Sequence, residues 1–103
     1  FRFRLEVRHM KERILSAALY LATKHNYQQI TRTQIAERVG CAESLVSFHF
    51  GTMVALRAVI MRKAIEVGNL IVIAQGLAAG NSVARGCNAA LRRRAAEKMA
   101  AGR

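Results

Sequence analysis

Apolar positions recur at the spacing of an α-helix over most of this sequence. In the first such segment they form one stripe along a single side of the predicted helix. The stripe consists of Ile14, Leu15, Ala18, Leu19 and Ala22. We therefore predict a first helix from Met10 to the pair His25-Asn26, because asparagine can adopt the left-handed conformation that ends helices.

Two short helices with a tight turn between them are predicted next. Thr31 and Gln34 have the spacing of a capping box, in which each side chain binds the other residue's backbone N–H. Gly40 ends this second helix, and a third helix runs from Glu43 to Phe50. Their apolar residues are Ile35, Ala36 and Val39, then Leu45, Val46, Phe48 and Phe50. Such a pair, joined by a turn that contains glycine, is the core of a helix-turn-helix.

The remainder of the chain predicts two longer helices. Thr52 can cap a fourth helix that runs to about Gln75. Asn81 or Ser82 can cap a fifth helix that runs to about Ala100.

The predicted fourth helix is apolar on nearly every side between residues 67 and 74, so another surface must cover it. A second copy of the chain would provide that surface. The expected fold class is all-α, with a three-helix domain that contains the helix-turn-helix over residues 10–51 and dimerisation helices over residues 52–103.

Residues 1–9 follow a different pattern. Apolar and charged residues alternate from Phe1 to Arg8, which is the period of a β-strand. His9-Met10 is a dipeptide that a common cloning site encodes. The segment is therefore either a remnant of cloning, with Met10 as the natural start, or a flexible basic arm that reaches into a minor groove.

Charge narrows the choice of partner. The chain has 17 Lys plus Arg against 6 Asp plus Glu, a formal net charge of +11. This balance predicts a polyanion, because each cation near a phosphate releases condensed counterions. Charge alone leaves DNA, RNA and an anionic membrane surface open.

Two further features of the sequence indicate the cellular compartment of the protein. The longest apolar stretch, Leu70 to Ala79, has half the length of a bilayer span. Cys41 and Cys87 give no disulfide framework, which is typical of a reducing compartment. We expect a cytoplasmic protein.

The sequence contains no recognisable catalytic or metal-binding motif. The sequence has no Ser/His/Asp or Cys/His grouping, no paired acids and no phosphate-cradling glycine loop, so we expect no enzyme. The two cysteines and three scattered histidines lack zinc spacing, so we expect neither a metal nor a cofactor. The run Arg92-Arg93-Arg94 is either a solvated face or a second contact to phosphate or RNA.

A set of motifs runs through residues 11–60. They are Lys11-Glu12-Arg13-Ile14-Leu15-Ser16-Ala17-Ala18, Tyr27, Gln34-Ile35-Ala36-Glu37-Arg38-Val39-Gly40, and Phe48-His49-Phe50-Gly51-Thr52 followed by Leu56. With these motifs the chain resembles the N-terminal domain of the TetR family of transcriptional regulators. The resemblance implies a homodimer that places the third helix of each subunit in the major groove of DNA. It also implies DNA-contacting residues, which by position are Arg32, Thr33, Gln34, Ala42, Glu43, Ser44, Ser47, His49 and Thr52.

The chain departs from the family pattern in three residues and in length. Ala42 stands where a Ser or Thr usually caps the third helix, Ser47 where a Tyr commonly faces DNA, and Met53 where a Lys commonly follows. About 50 residues follow the third helix, too few to enclose a drug-sized pocket beside a four-helix dimer interface. We expect a repressor without a small-molecule inducer, of a kind that phages or plasmids could encode.

Two other functions remain open. A protein-interaction module on the same scaffold would capture a partner with its apolar fourth helix and would bind DNA weakly and without salt dependence. A non-specific nucleic-acid binder would show a steep salt dependence without any sequence preference.

Overall fold

Seven α-helices make up the chain in a computed structural model, which describes residues 2–102 and the side chains of residues 8–102. No strand occurs in this described part. The helices are α1 Arg2–Lys24, α2 Arg32–Val39, α3 Glu43–Phe50, α4 Met53–Val67, α5 Leu70–Ala78, α6 Ser82–Arg85 and α7 Ala89–Ala101. The expected all-α fold class is confirmed.

The two short helices, α2 and α3, begin and end where the local sequence signals predict. The Thr31 hydroxyl accepts a hydrogen bond from the Gln34 N–H at 3.2 Å, and Gln34 Oε1 accepts one from the Thr31 N–H at 2.9 Å. Gly40 ends α2 at φ 82°, a left-handed conformation that a side chain would strain, and donates its N–H to the Ala36 carbonyl. The capping box and the glycine stop are therefore confirmed.

The first helix is longer than predicted. It begins at Arg2 rather than Met10, so the strand period of the first residues does not correspond to a strand. A single strand would leave its backbone groups without partners, whereas a helix satisfies them within the segment. The side chains of residues 1–7, on which the predicted basic arm depends, lie outside the described residues.

The predicted fourth helix is two helices, α4 and α5. Gly68, at φ 72°, ends α4 and donates its N–H to the Ile65 carbonyl. Asn69 then begins α5, because its side-chain oxygen accepts from the Val72 N–H at 3.1 Å. The expectation of one helix to about Gln75 is wrong at this Gly-Asn pair.

The predicted fifth helix is also divided. Asn81 caps the short helix α6, accepting from the backbone N–H groups of Val83 and Ala84. Gly86 follows α6, and Asn88 caps α7 by accepting from the Ala90 N–H at 2.8 Å. Each asparagine offers the backbone a local partner that favours a new start over a continuous helix.

One hydrophobic core joins all parts of the chain, and α5 lies at its centre. The helix packs against α1, α4, α6 and α7. Val72 and Ile73 are fully buried, and only Ile71 among the large residues of α5 is well exposed, at 41%. The apolar stretch that needed covering is therefore covered mainly by this chain's own helices, and homodimerisation stays a prediction.

Side-chain hydrogen bonds attach α5 to the end of α1 and the loop behind it. Gln75 Oε1 accepts from the Tyr27 N–H at 3.0 Å, and Gln75 Nε2 donates to the Ala22 carbonyl at 2.8 Å. Asn69 Nδ2 also donates to the Thr23 hydroxyl at 2.9 Å. The C-terminal helices thus hold the segment that leads into α2 by specific polar contacts as well as by packing.

Candidate nucleic-acid interface

The third helix has one buried and one outward face. Val46 and Phe50 are 1% and 8% exposed and point into the core. Glu43 and Ser44 are exposed and Ser47 is half-buried. Phe48, one of the apolar residues named for this helix, is 75% exposed and does not pack into the core. The side chains on the outward face are those that could meet a partner.

Helix α2 packs against α3 and is joined to it by a side-chain hydrogen bond. The Thr33 hydroxyl donates to Glu43 Oε1 at 3.0 Å, and both side chains are exposed. Because a hydroxyl has one hydrogen, Thr33 cannot donate to a phosphate while it holds Glu43. Of the predicted contact residues, these two are brought into direct contact, and Thr33 positions the carboxylate.

The start of α2 also carries Arg32 and Gln34. Arg32 is half-buried, and its Nε is buried without a hydrogen-bond partner among the described residues. Gln34 uses its side-chain oxygen in the capping box, which leaves its amide nitrogen as the group able to donate to DNA. The first turn of a helix adds backbone N–H groups and the positive end of the dipole, which favour phosphate.

The three remaining predicted residues lie at the N-caps of α3 and α4 and in the last turn of α3. Ala42 is the N-cap of α3 and makes no side-chain hydrogen bond to it, as an alanine must. Thr52 is the exposed N-cap of α4, and its hydroxyl accepts from the Ala55 N–H at 3.1 Å. His49 is half-buried, with its ring centroid 5.1 Å from that of Phe48 in an edge-to-face arrangement.

Two residues beside this surface were not among the predicted contacts. Lys11 of α1 places its ammonium 5.8 Å from the centroid of the Phe50 ring, which brings a positive charge to the end of α3. Phe48 lies four residues after Ser44 and one after Ser47, on the same outward stripe. The helical spacing of Phe48 from Ser44 was the signal that could have identified it.

Positive charge elsewhere near the helix-turn-helix is engaged in packing. The Arg38 guanidinium stacks on the Tyr20 ring at 3.6 Å, and Arg13 Nη2 donates to the Val39 carbonyl at 3.0 Å. These contacts tie the end of α2 to α1 and border an open groove between the two helices. They fix the orientation of α2, which in turn braces α3.

Over the described residues no single helix is long and apolar enough to cross a bilayer. Glu43–Phe50 and Met53–Val67 pass only as a pair, and this pair is bent by 69°.

The resemblance to the TetR family concerns the motif residues on α1 to α4, and membership of the family stays a proposal. No family model, no curated protein and no solved structure matches this chain.

Proposed function

We propose that this chain is a sequence-specific regulator of transcription that binds duplex DNA through α3, in the manner of TetR-family repressors. The observation that carries the proposal is the outward face of α3, which presents Glu43, Ser44 and Ser47 while α2 braces the helix from behind. Hydroxyl and carboxylate groups of this kind can pair with base edges in the major groove.

The dimensions of the helix pair support the same proposal. Residues 40–42 form the turn between two eight-residue helices, as in helix-turn-helix domains. An α-helix with its side chains is about 10–12 Å across, so α3 fits a major groove about 12 Å wide.

The net charge of +11 accounts for affinity in this proposal, whereas α3 accounts for sequence choice. Glu43 is the only acidic residue of α3, and α3 has no Lys or Arg. Phosphate contacts would therefore come from neighbouring cations such as Lys11 and Arg32, and base contacts from α3 itself.

A homodimer is part of the proposal because one copy of α3 reads little DNA. A helix about 12 Å long covers roughly three to four base pairs. Two symmetric copies would double the sequence read, as in other helix-turn-helix regulators. The C-terminal helices predicted to dimerise leave Ile71 and Met99 exposed, at 41% and 37%, beside a groove of 430 Å³ between α5 and α7.

The regulator would act in the cytoplasm and without a small-molecule inducer. Residues 52–102 supply helices that pack on one another and on α1. Regulation in this proposal would come from the amount of protein and its affinity for the operator.

Selection of bound duplexes from a random pool, at low and at high salt, tests the proposed function. A preferred sequence that survives the increase in salt is the expected result. Enrichment without any preferred sequence, lost steeply with salt, would instead identify a non-specific nucleic-acid binder. Weak retention at both salt concentrations would favour a protein-interaction module.

Homodimerisation predicts a mass in solution of about twice 11.4 kDa. Sedimentation equilibrium at micromolar concentration measures this mass. Ile71→Lys should shift the protein towards monomer, because a charge would enter the exposed apolar patch. A wild-type protein that sediments as a monomer over this range contradicts the dimer.

Arg32→Ala is expected to weaken binding to all duplexes alike and to lower the slope of log affinity against log salt by about one unit. The reason is the loss of one cation beside the first turn of α2. Arg85→Ala, an exposed arginine on α6, is the matched control and should leave the slope unchanged. If Arg32→Ala also leaves the slope unchanged, Arg32 makes no phosphate contact.

A further inference from the structure

Phe48 is the residue of α3 that the packing of this chain leaves unexplained. The other apolar residues of the helix are buried or half-buried, but Phe48 is 75% exposed. It lies two residues from both Val46 and Phe50, so at about 100° per residue it points almost opposite to them. Phe48 therefore belongs to the outward face and takes no part in holding α3 to the core.

The neighbours of Phe48 are the residues proposed to meet DNA. Ser44 and Ser47 stand four residues and one residue before it, which places all three on one stripe. The His49 ring meets the Phe48 ring edge-to-face at 5.1 Å, a contact that limits how the phenyl ring can turn. The stripe thus combines two hydroxyl groups with one large apolar group of restricted orientation.

In the major groove the matching apolar feature is the C5-methyl group of thymine. Cytosine, adenine and guanine present only hydrogen-bonding groups and ring edges there. A phenyl ring carries no hydrogen-bond donor or acceptor, so it gains most from the one base with a methyl group. The serine hydroxyls can donate or accept and therefore cannot make this distinction as sharply.

We propose that Phe48 is a specificity-determining residue that reads a thymine methyl group in each half-site. The inference rests on the proposed function, since it requires α3 to lie in the major groove. It assigns thymine preference to the one apolar residue of α3 that is exposed.

The test uses the duplex obtained by selection and replaces each thymine in turn by deoxyuridine, which removes only the methyl group. Wild-type protein should bind about fourfold more weakly when the critical methyl is absent, the effect of one buried methyl group. Phe48→Ala should bind the thymine and uracil duplexes equally at that position. Phe48→Leu should keep part of the preference, because it retains an apolar side chain.

Val54→Ala is the matched control, since Val54 is also exposed, at 76%, but lies on α4 rather than on α3. It should respond to uracil as the wild type does. Circular dichroism should show that Phe48→Ala stays folded, because the side chain is exposed. If Phe48→Ala does not fold, Phe48→Leu takes its place in the comparison, and the uracil effect should then be smaller than in the wild type.

The outcomes separate this inference from the function beneath it. A preferred duplex without thymine, or with no thymine whose methyl group matters, overturns the role of Phe48 alone. A uracil effect of equal size in the wild type and in Phe48→Ala also overturns the role of Phe48. So does a Phe48→Ala protein that binds all duplexes, with thymine or uracil, more weakly by the same factor. Selection that yields no preferred duplex overturns the proposed function, and the role of Phe48 with it.

Discussion

Ile73→Ala is expected to lower the free energy of unfolding by about 3 kcal/mol, within the range of roughly 2–5 kcal/mol for large core residues. Ile73 is fully buried at the centre of α5, against which four other helices pack. Removing its side chain would leave a cavity that several helices border at once. Urea denaturation followed by circular dichroism measures the loss.

Ile71→Ala is the matched control because it removes the same atoms two residues away on the same helix. Its side chain is 41% exposed, so the loss should stay below about 1.5 kcal/mol. Equal losses for the two variants at low protein concentration would contradict the described orientation of α5.

Gln75→Leu is expected to lower the free energy of unfolding by about 2–4 kcal/mol. The variant removes the partners of the Tyr27 N–H and the Ala22 carbonyl, and each unsatisfied buried group costs about 1–3 kcal/mol. Leucine keeps a similar volume, so the loss reports mainly on the two hydrogen bonds. The measurement is again denaturation by urea.

Gln28→Leu is the control for this second variant, because the Gln28 side chain is exposed one residue after Tyr27. It should change the stability by less than about 0.5 kcal/mol. A Gln75→Leu protein as stable as the wild type would show that water replaces the lost partners, contrary to the part-buried geometry of both bonds.

The boundaries of α2 and α3 could be predicted because their causes are local. A capping box and a left-handed glycine act within four residues, so they are readable from Thr31, Gln34 and Gly40 alone. The Gly68-Asn69 pair carried the same kind of signal. It was missed because the residues on both sides of the pair are mostly apolar, as in one continuous helix.

The cover over α5 could not be predicted in the same way, because it is a matter of tertiary packing. Sequence shows that residues 67–74 need a surface, but several surfaces can meet that need. The division at residues 86–88 lets α7 pack on α5 within one chain, where an undivided helix was expected.

Sequence reasoning did not single out Phe48 as part of the outward face of α3. Its apolar character gives no sign of exposure, which is decided by the angular position of the residue on the helix. Thr33 and Glu43 were both expected to face DNA, and their mutual hydrogen bond is a contact between two helices that no short-range pattern contains.

Among the helices that follow α1, only α3 begins without a side-chain cap. The other starts are capped by Thr31, Thr52, Asn69, Asn81 and Asn88. A missing cap removes about 1 kcal/mol from the first turn, so that turn opens more readily than its counterparts.

The first turn of α3 holds Glu43 and Ser44, at the start of the helix proposed to read bases. Ordering it upon binding would consume part of the interaction free energy. A matched duplex would order the turn fully, and a mismatched one only in part. If α3 binds DNA as proposed, the absent hydroxyl at Ala42 makes its contact surface adaptable, and discrimination depends on how well each sequence completes the helix.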